Sequence, residues 1–171
     1  LKEKKLILGY NQKKLKYAHL FDNLFNFIFK PFGKNRNYPF LLPNLRKILV
    51  VQSHLIGDLI MSTPMLKALK MACPDAKIYL LANEFATELV KGLPYINEII
   101  PMRFPWSTYD YSIGNLIRVI ATVKKLRSKK FDLAIDAQID MRNLFLMFLI
   151  GAKKRLGYDI TGGRLFLTDI P

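Results

Sequence analysis

From residue 47 onward the apolar positions of this chain alternate between two rhythms. Ile48 to Val51 is a short, β-branched-rich apolar run, the pattern of a strand covered on both faces. Leu59, Met61, Met65, Leu66, Leu69 and Met71 then recur at helical spacing and give a broad apolar face. The same alternation predicts strands near Lys47–Gln52, Lys77–Ala82, Glu98–Pro101, Asp132–Asp136 and Arg155–Tyr158. It predicts helices near Leu59–Met71, Glu84–Lys91, Ile113–Arg127 and Arg142–Ile150. Repeated strand–helix units make an α/β domain: a parallel sheet with helices on both faces, joined by right-handed crossovers.

The first 43 residues follow neither rhythm. Leu20, Phe21, Leu24, Phe25, Phe27, Ile28 and Phe29 cover a wide helical face, broken by Asp22, Asn23 and Asn26 and too short to span a bilayer. Pro31, Gly33, Pro39 and Pro43 mark a linker behind it. Up to Lys47 there are eleven Lys and Arg against two acids, so +9 of the net +14 lies in this stretch. A basic, Phe-rich amphipathic helix reads as a membrane-surface element, with residues 1–37 contacting anionic lipid. The competing reading is a helix packed on the domain with its lysines in water. A cleavable signal peptide does not fit, because no small-residue cleavage pattern follows the apolar run.

Composition narrows the chemistry. At 171 residues and 51% hydrophobic, the chain holds one ordinary α/β core and is not disordered in composition. With Cys73 alone, an internal disulfide is impossible, which fits a reducing compartment. Beside Pro74 at a helix end, Cys73 reads as a small buried hydrophobe. Two histidines, His19 and His54, give no zinc spacing. His54 reads as a solvated loop residue without a role.

Candidate chemistry gathers where the first strand meets the first helix. Gly57 permits a tight turn, and Asp58 follows it at the helix mouth, the sheet edge where α/β proteins place ligands. As an N-cap, Asp58 accepts hydrogen bonds from free N–H groups and suits the helix dipole; as a general base, it stands at the rim of a cleft. Local sequence favours the cap. Neither GxGxxG nor GxxxxGK[ST] is present, so glycine amides are not arranged to cradle a phosphate.

Asp136, Gln138, Asp140 and Arg142 follow another strand to the same edge. Their bland reading has Asp136 capping the next helix, with Asp140 and Arg142 solvated. Arg103 to Tyr111 is an aromatic loop that either stacks on sugars or covers a core. Thr161-Gly162-Gly163-Arg164 reads as a flexible turn, and Lys124, Lys125, Arg127, Lys129 and Lys130 as a solvated helix end.

The block Ile48-Leu-Val-Val, then Ile56-Gly-Asp58-Leu-Ile-Met-Ser-Thr-Pro-Met-Leu-Lys-Ala-Leu-Lys, then Cys73-Pro-Asp-Ala-Lys-Ile-Tyr-Leu-Leu resembles the start of glycosyltransferase family 9, the lipopolysaccharide heptosyltransferases and their relatives. Phe131-Asp-Leu-Ala-Ile-Asp136-Ala-Gln138, followed by Gly151-Ala-Lys-Lys-Arg-Leu-Gly-Tyr158, matches a second block of that family in order and spacing. The chain departs from the family at Gln52, where many members are basic, near Leu55, often polar or basic, and at Ile139, usually glycine.

This resemblance implies a Rossmann-like acceptor-binding domain over residues 44–171, the N-terminal half of a two-domain GT-B enzyme. Asp58 would be the catalytic base, with Leu55, Gly57, Gln138 and Arg142 lining the acceptor site. The partner would be a lipid-linked or phosphorylated saccharide. The donor, typically ADP-heptose, would sit on a C-terminal domain beyond this chain, with no other cofactor, no metal and no nucleic acid. Starting at Leu1 and stopping at Asp169-Ile-Pro171, the chain reads as a fragment. The location implied is cytoplasmic, on the inner face of the membrane. The alternative from a different class is a non-catalytic basic α/β module binding nucleic acid or an anionic surface.

Overall fold

The structure, a computed structural model, describes residues 45–170; the extension and linker expected over 1–43 lie outside them. Five parallel strands form one sheet in the order β3-β2-β1-β4-β5. They are β1 (Lys47–Gln52), β2 (Lys77–Asn83), β3 (Glu98–Met102), β4 (Leu133–Asp136) and β5 (Lys154–Leu156). The helices are α1 (Ile56–Ala72), α2 (Pro105–Thr108), α3 (Ile113–Ser128) and α4 (Met141–Ile150), with 3₁₀ turns at Glu84–Val90 and Arg164–Phe166. The chain is α/β, as the pattern predicts, and Rossmann-like, as the resemblance implies.

β1 is central because its residues are apolar toward both faces. Ile48, Leu49, Val50 and Val51 are all fully buried. Successive side chains point to opposite sides. Leu49 and Val51 pack with Leu126 of α3 and Leu144 and Met147 of α4. Ile48 and Val50 pack with Leu59 and Leu66 of α1. Burying each such side chain stabilises the fold by about 1.5–3 kcal/mol. In register, Val51 lies between Leu81 of β2 and Asp136 of β4, so the carboxyl ends of the three central strands share one edge.

Several local expectations change. α1 starts at Ile56, so Gly57 lies in its first turn, without a positive φ and with nothing within 4 Å of an added Cβ. The turn therefore does not depend on a glycine. The inward side of α1 is Leu59, Ser62 and Leu66, whereas Met61 and Met71 point to solvent. The predicted helix at 84–91 is a 3₁₀ element, and Asn83, at its N-cap, uses its side chain elsewhere and makes no cap bond. The aromatic loop contains the short α2, with Phe104 fully buried and Trp106 packed on it at 5.4 Å between ring centroids.

Thr161 to Arg164 is no loose turn. Gly162 and Gly163 are buried at positive φ, and Gly163 packs against Met141 and Leu144 of α4. The cluster at the end of α3 is only partly solvated. Lys129 pairs with Glu98 at 2.8 Å and lies 5.0 Å from the centroid of the Tyr79 ring, and Arg127 donates to the Leu149 carbonyl at 3.2 Å.

Candidate functional site

The loop from β1 into α1 is Ser53, His54 and Leu55, and its two neighbouring strands hold it in place. From the end of β4, Gln138 Oε1 accepts from Ser53 N at 2.7 Å, Ser53 Oγ at 3.1 Å and His54 N at 2.9 Å. From the end of β2, Asn83 Nδ2 donates to the carbonyl of Ser53 and, at 3.1 Å, to that of His54. Ser53 and Asn83 are fully buried, so these bonds form away from competing water. Thus three parallel strands fix the loop that launches Asp58.

Asp58 sits in the first turn of α1, and the N-cap position is Leu55, which makes no side-chain cap bond. The capping expectation for Asp58 is therefore corrected: its carboxylate suits the positive end of the helix dipole but does not close the helix. The Asp58 side chain is 55% exposed, with His54 Nδ1 3.9 Å from its Oδ2. It faces a cleft of about 420 Å³ lined by His54, Met61, Met65, Gln138 and Ile139. Gln138 Nε2 is buried without a hydrogen-bond partner at this cleft. A buried unpaired donor beside an exposed carboxylate is suited to a hydroxyl-bearing ligand.

The second strand end supplies a network. Asp136 accepts from Gln138 N, Asp140 N and Asn143 Nδ2 at 3.2, 3.0 and 2.8 Å. Burial nonetheless pushes its carboxyl up, with the charge of Asp140 adding to the effect. Asp140, not Asp136, is the N-cap of α4, accepting from Arg142 N at 2.9 Å. Nor are Asp140 and Arg142 simply solvated. Asp140 is buried, and the Arg142 guanidinium reaches it at 2.9 and 2.6 Å. Burial alone would raise the Asp140 carboxyl, but the bonds from His54 and Arg142 outweigh it and hold the group well below the usual range.

His54, read from sequence as a residue without a role, links the two halves. Its Nε2 lies 3.0 Å from Asp140 Oδ2 while its Nδ1 faces Asp58. Facing a carboxylate there, Nε2 is the donor. The sequence signal for this was thin, because its partner is 86 residues away.

Ile139 adopts φ +57°, a left-handed conformation rare for a β-branched residue. This is the position where the resembled family usually has glycine. Its carbonyl accepts from Thr161 Oγ1 at 2.9 Å, and the same hydroxyl oxygen accepts from Met141 N at 3.2 Å.

Of the residues expected to serve acceptor binding, Gln138 shares the cleft with Asp58. Gly57 adjoins Asp58 in the first turn of α1, and Leu55 is 67% exposed at the start of that helix; neither lines the cleft. Arg142, bound to Asp140, lines a separate groove instead. Among the described residues no group of three His, Cys, Asp or Glu side chains is placed to hold a metal ion.

No family model matches the chain. Lipopolysaccharide heptosyltransferase 2 of Salmonella typhimurium is 30% identical over 112 residues, 66% of this chain and 31% of that protein. The chain thus spans about a third of the length of such relatives. The fold matches the Escherichia coli ADP-heptose lps heptosyltransferase II with TM-score 0.60 at 24% identity, covering 72% of this chain and 34% of that one. It also matches a glycosyl transferase family 9 structure from Veillonella parvula with TM-score 0.64 at 22% identity, covering 79% and 38%. In sequence the chain is similar to lipopolysaccharide heptosyltransferases, and in fold to solved structures of glycosyltransferase family 9.

Proposed function

We propose that these residues form the acceptor-binding domain of an inverting GT-B glycosyltransferase acting on a lipopolysaccharide-type, phosphorylated saccharide. One observation carries the reading. The half-exposed Asp58 carboxylate and Gln138, whose Nε2 has no partner, share one cleft at the carboxyl edge of the sheet. In this reaction Asp58 takes the proton of an acceptor hydroxyl as its oxygen forms a bond to the anomeric carbon. The bond to the nucleoside diphosphate breaks on the opposite face, so the configuration inverts. The carboxylate need only accept the proton as the hydroxyl becomes acidic in the transition state.

Gln138 donates to an acceptor oxygen, Gly57 and the exposed Leu55 at the start of α1 meet parts of the acceptor outside the cleft, and Arg142 meets its phosphate when it swings from Asp140. The donor, of the ADP-heptose kind, belongs to a second domain. By the same proposal the protein acts in the cytoplasm at the inner face of the membrane, with residues 1–37 on anionic lipid and a saccharide, not a nucleic acid, as partner.

The test is Asp58→Asn in a two-domain form that contains these residues, assayed for transfer from ADP-heptose to a phosphorylated inner-core acceptor. Loss of nearly all turnover with donor binding intact is expected. Near-normal turnover would leave Asp58 as a helix-dipole residue only.

A further inference from the structure

On the face of the sheet away from α1, α3 and α4 lie side by side with an open groove between them. Its volume is about 620 Å³, and Trp106, Val119, Ile120, Val123, Phe145 and Leu149 line it. Pockets that seat small ligands are of this size, but those carry a few convergent polar groups; this wall is almost wholly hydrocarbon. The apolar surface continues outward. Ile113, Ile117 and Ile120 recur on one stripe of α3 and are 78, 60 and 55% exposed. α3 thus has two apolar faces, one toward the core through Leu126 and one toward solvent. A contiguous exposed patch of this kind marks a contact surface.

The charge around the groove selects its occupant. α3 carries Arg118, Lys124, Lys125 and Arg127, α4 carries Arg142, and neither helix has an acidic residue. Lys124, Arg127 and Arg142 border the groove itself. A second copy placed face to face would oppose two cationic surfaces. The apolar run from Leu20 to Phe29 carries Asp22 and no Lys or Arg, so charge alone does not bar it from the groove, and the lipid-free arm of the test below separates it from a bilayer. Hydrocarbon walls with a cationic rim complement an acyl chain that ends in an anionic headgroup. No described helix is long and apolar enough to cross a membrane, so the contact is with the surface of a bilayer.

We infer that the α3–α4 groove is a docking site for an anionic phospholipid bilayer, with an acyl chain against Val119, Ile120 and Phe145 and the headgroup phosphate between Lys124 and Arg127. This contact is separate from residues 1–37 and does not depend on the glycosyl-transfer reading. Arg142 borders the groove while bonding Asp140, which in turn bonds His54 beside Asp58. A bilayer seated here is therefore joined to His54, beside Asp58, through Arg142 and Asp140.

Trp106 is the sole tryptophan of the chain and lies in the groove wall, so its fluorescence reports the groove and not the N-terminal segment. The experiment mixes the full chain with phosphatidylglycerol or phosphatidylcholine vesicles whose acyl chains are brominated. The expected result is a blue shift and quenching of Trp106 on phosphatidylglycerol, weakening as salt rises, with little change on phosphatidylcholine. Ile117→Asp and Ile120→Asp, at exposed positions that leave the core intact, should abolish the quenching. Lys124→Glu with Arg127→Glu should weaken it at least about twentyfold, from roughly fivefold per cation.

Sedimentation with vesicles while Trp106 stays unquenched would overturn the inference, because the contact would then lie elsewhere. Equal quenching by both lipids would remove the headgroup assignment. A concentration-dependent blue shift without lipid would assign the groove to a second copy, and a concentration-independent one to the chain itself.

Discussion

Replacing Gln138 with leucine isolates what the loop before Asp58 depends on. The side-chain oxygen of Gln138 accepts three hydrogen bonds, from Ser53 N, Ser53 Oγ and His54 N. Leucine keeps the volume and removes all three. The hydroxyl of Ser53 can turn to another acceptor, but two backbone N–H groups cannot. One belongs to a fully buried residue and the other to a half-buried one. A stranded N–H costs about 1–3 kcal/mol when fully buried, as at Ser53, and about 1 kcal/mol where water reaches it, as at His54, so Gln138→Leu should lose about 2–4 kcal/mol of stability. For a domain of this size that lowers the melting temperature by roughly 10 °C. Urea denaturation followed by circular dichroism measures the free energy, and amide exchange at Ser53 and His54 should speed up locally before the rest of the sheet opens. A loss below about 0.5 kcal/mol would mean that the loop is held by Asn83 alone, and the three-strand account of the site would fail.

The remaining predictions concern single positions around the cleft. Ile139→Gly relieves a left-handed β-branched residue and should stabilise the fold by about 0.5–1 kcal/mol net of the extra chain entropy, read by urea denaturation. Gly57→Ala meets no atom within 4 Å at a helical φ, so it should add about 0.4–1 kcal/mol; calorimetry of acceptor binding then shows whether the same methyl obstructs the ligand. Asp140 has its carboxyl held below the usual range, so its contribution to stability is complete above about pH 5 and drains away as pH falls through its folded value. Asp140→Asn should be less stable at neutral pH and should flatten the acid limb of a stability–pH profile.

How much of this was legible in sequence depends on the range over which each feature is decided. The five strands lie within two residues of their expected bounds, and β1, β2 and β4 do so because each is a short apolar run decided by its own residues. The rotation of α1 was not legible, since apolar Met61 and Met71 match a buried pattern while Leu59 and Leu66 take the inward side. Asp58 and Gln138 stood out at adjacent strand ends. The tie from His54 to Asp140 could not, because it joins two segments that only the sheet brings together. The Gly163 turn looked flexible in composition, yet its missing Cβ is what lets the backbone press on Met141 and Leu144. Asp136 was assigned the cap that Asp140 supplies, because both precede α4 and only the backbone path decides between them.

The strand order has a consequence for synthesis on the ribosome. β1 lies in the middle of the sheet, but its two neighbours emerge far apart: β2 begins at Lys77 and β4 at Leu133. At about 5–20 residues per second, the roughly 80 residues between β1 and β4 take on the order of 4–16 s to translate. Throughout that interval one side of Ile48–Val51 is an unpaired, wholly apolar strand edge, the kind that templates association between chains. The loop bearing His54 and Asp58 also lacks Gln138 until then. Newborn chains therefore pass through a stage in which the future site is unformed and the centre of the sheet is open, and chaperone capture of this protein should peak before residue 133 leaves the exit tunnel.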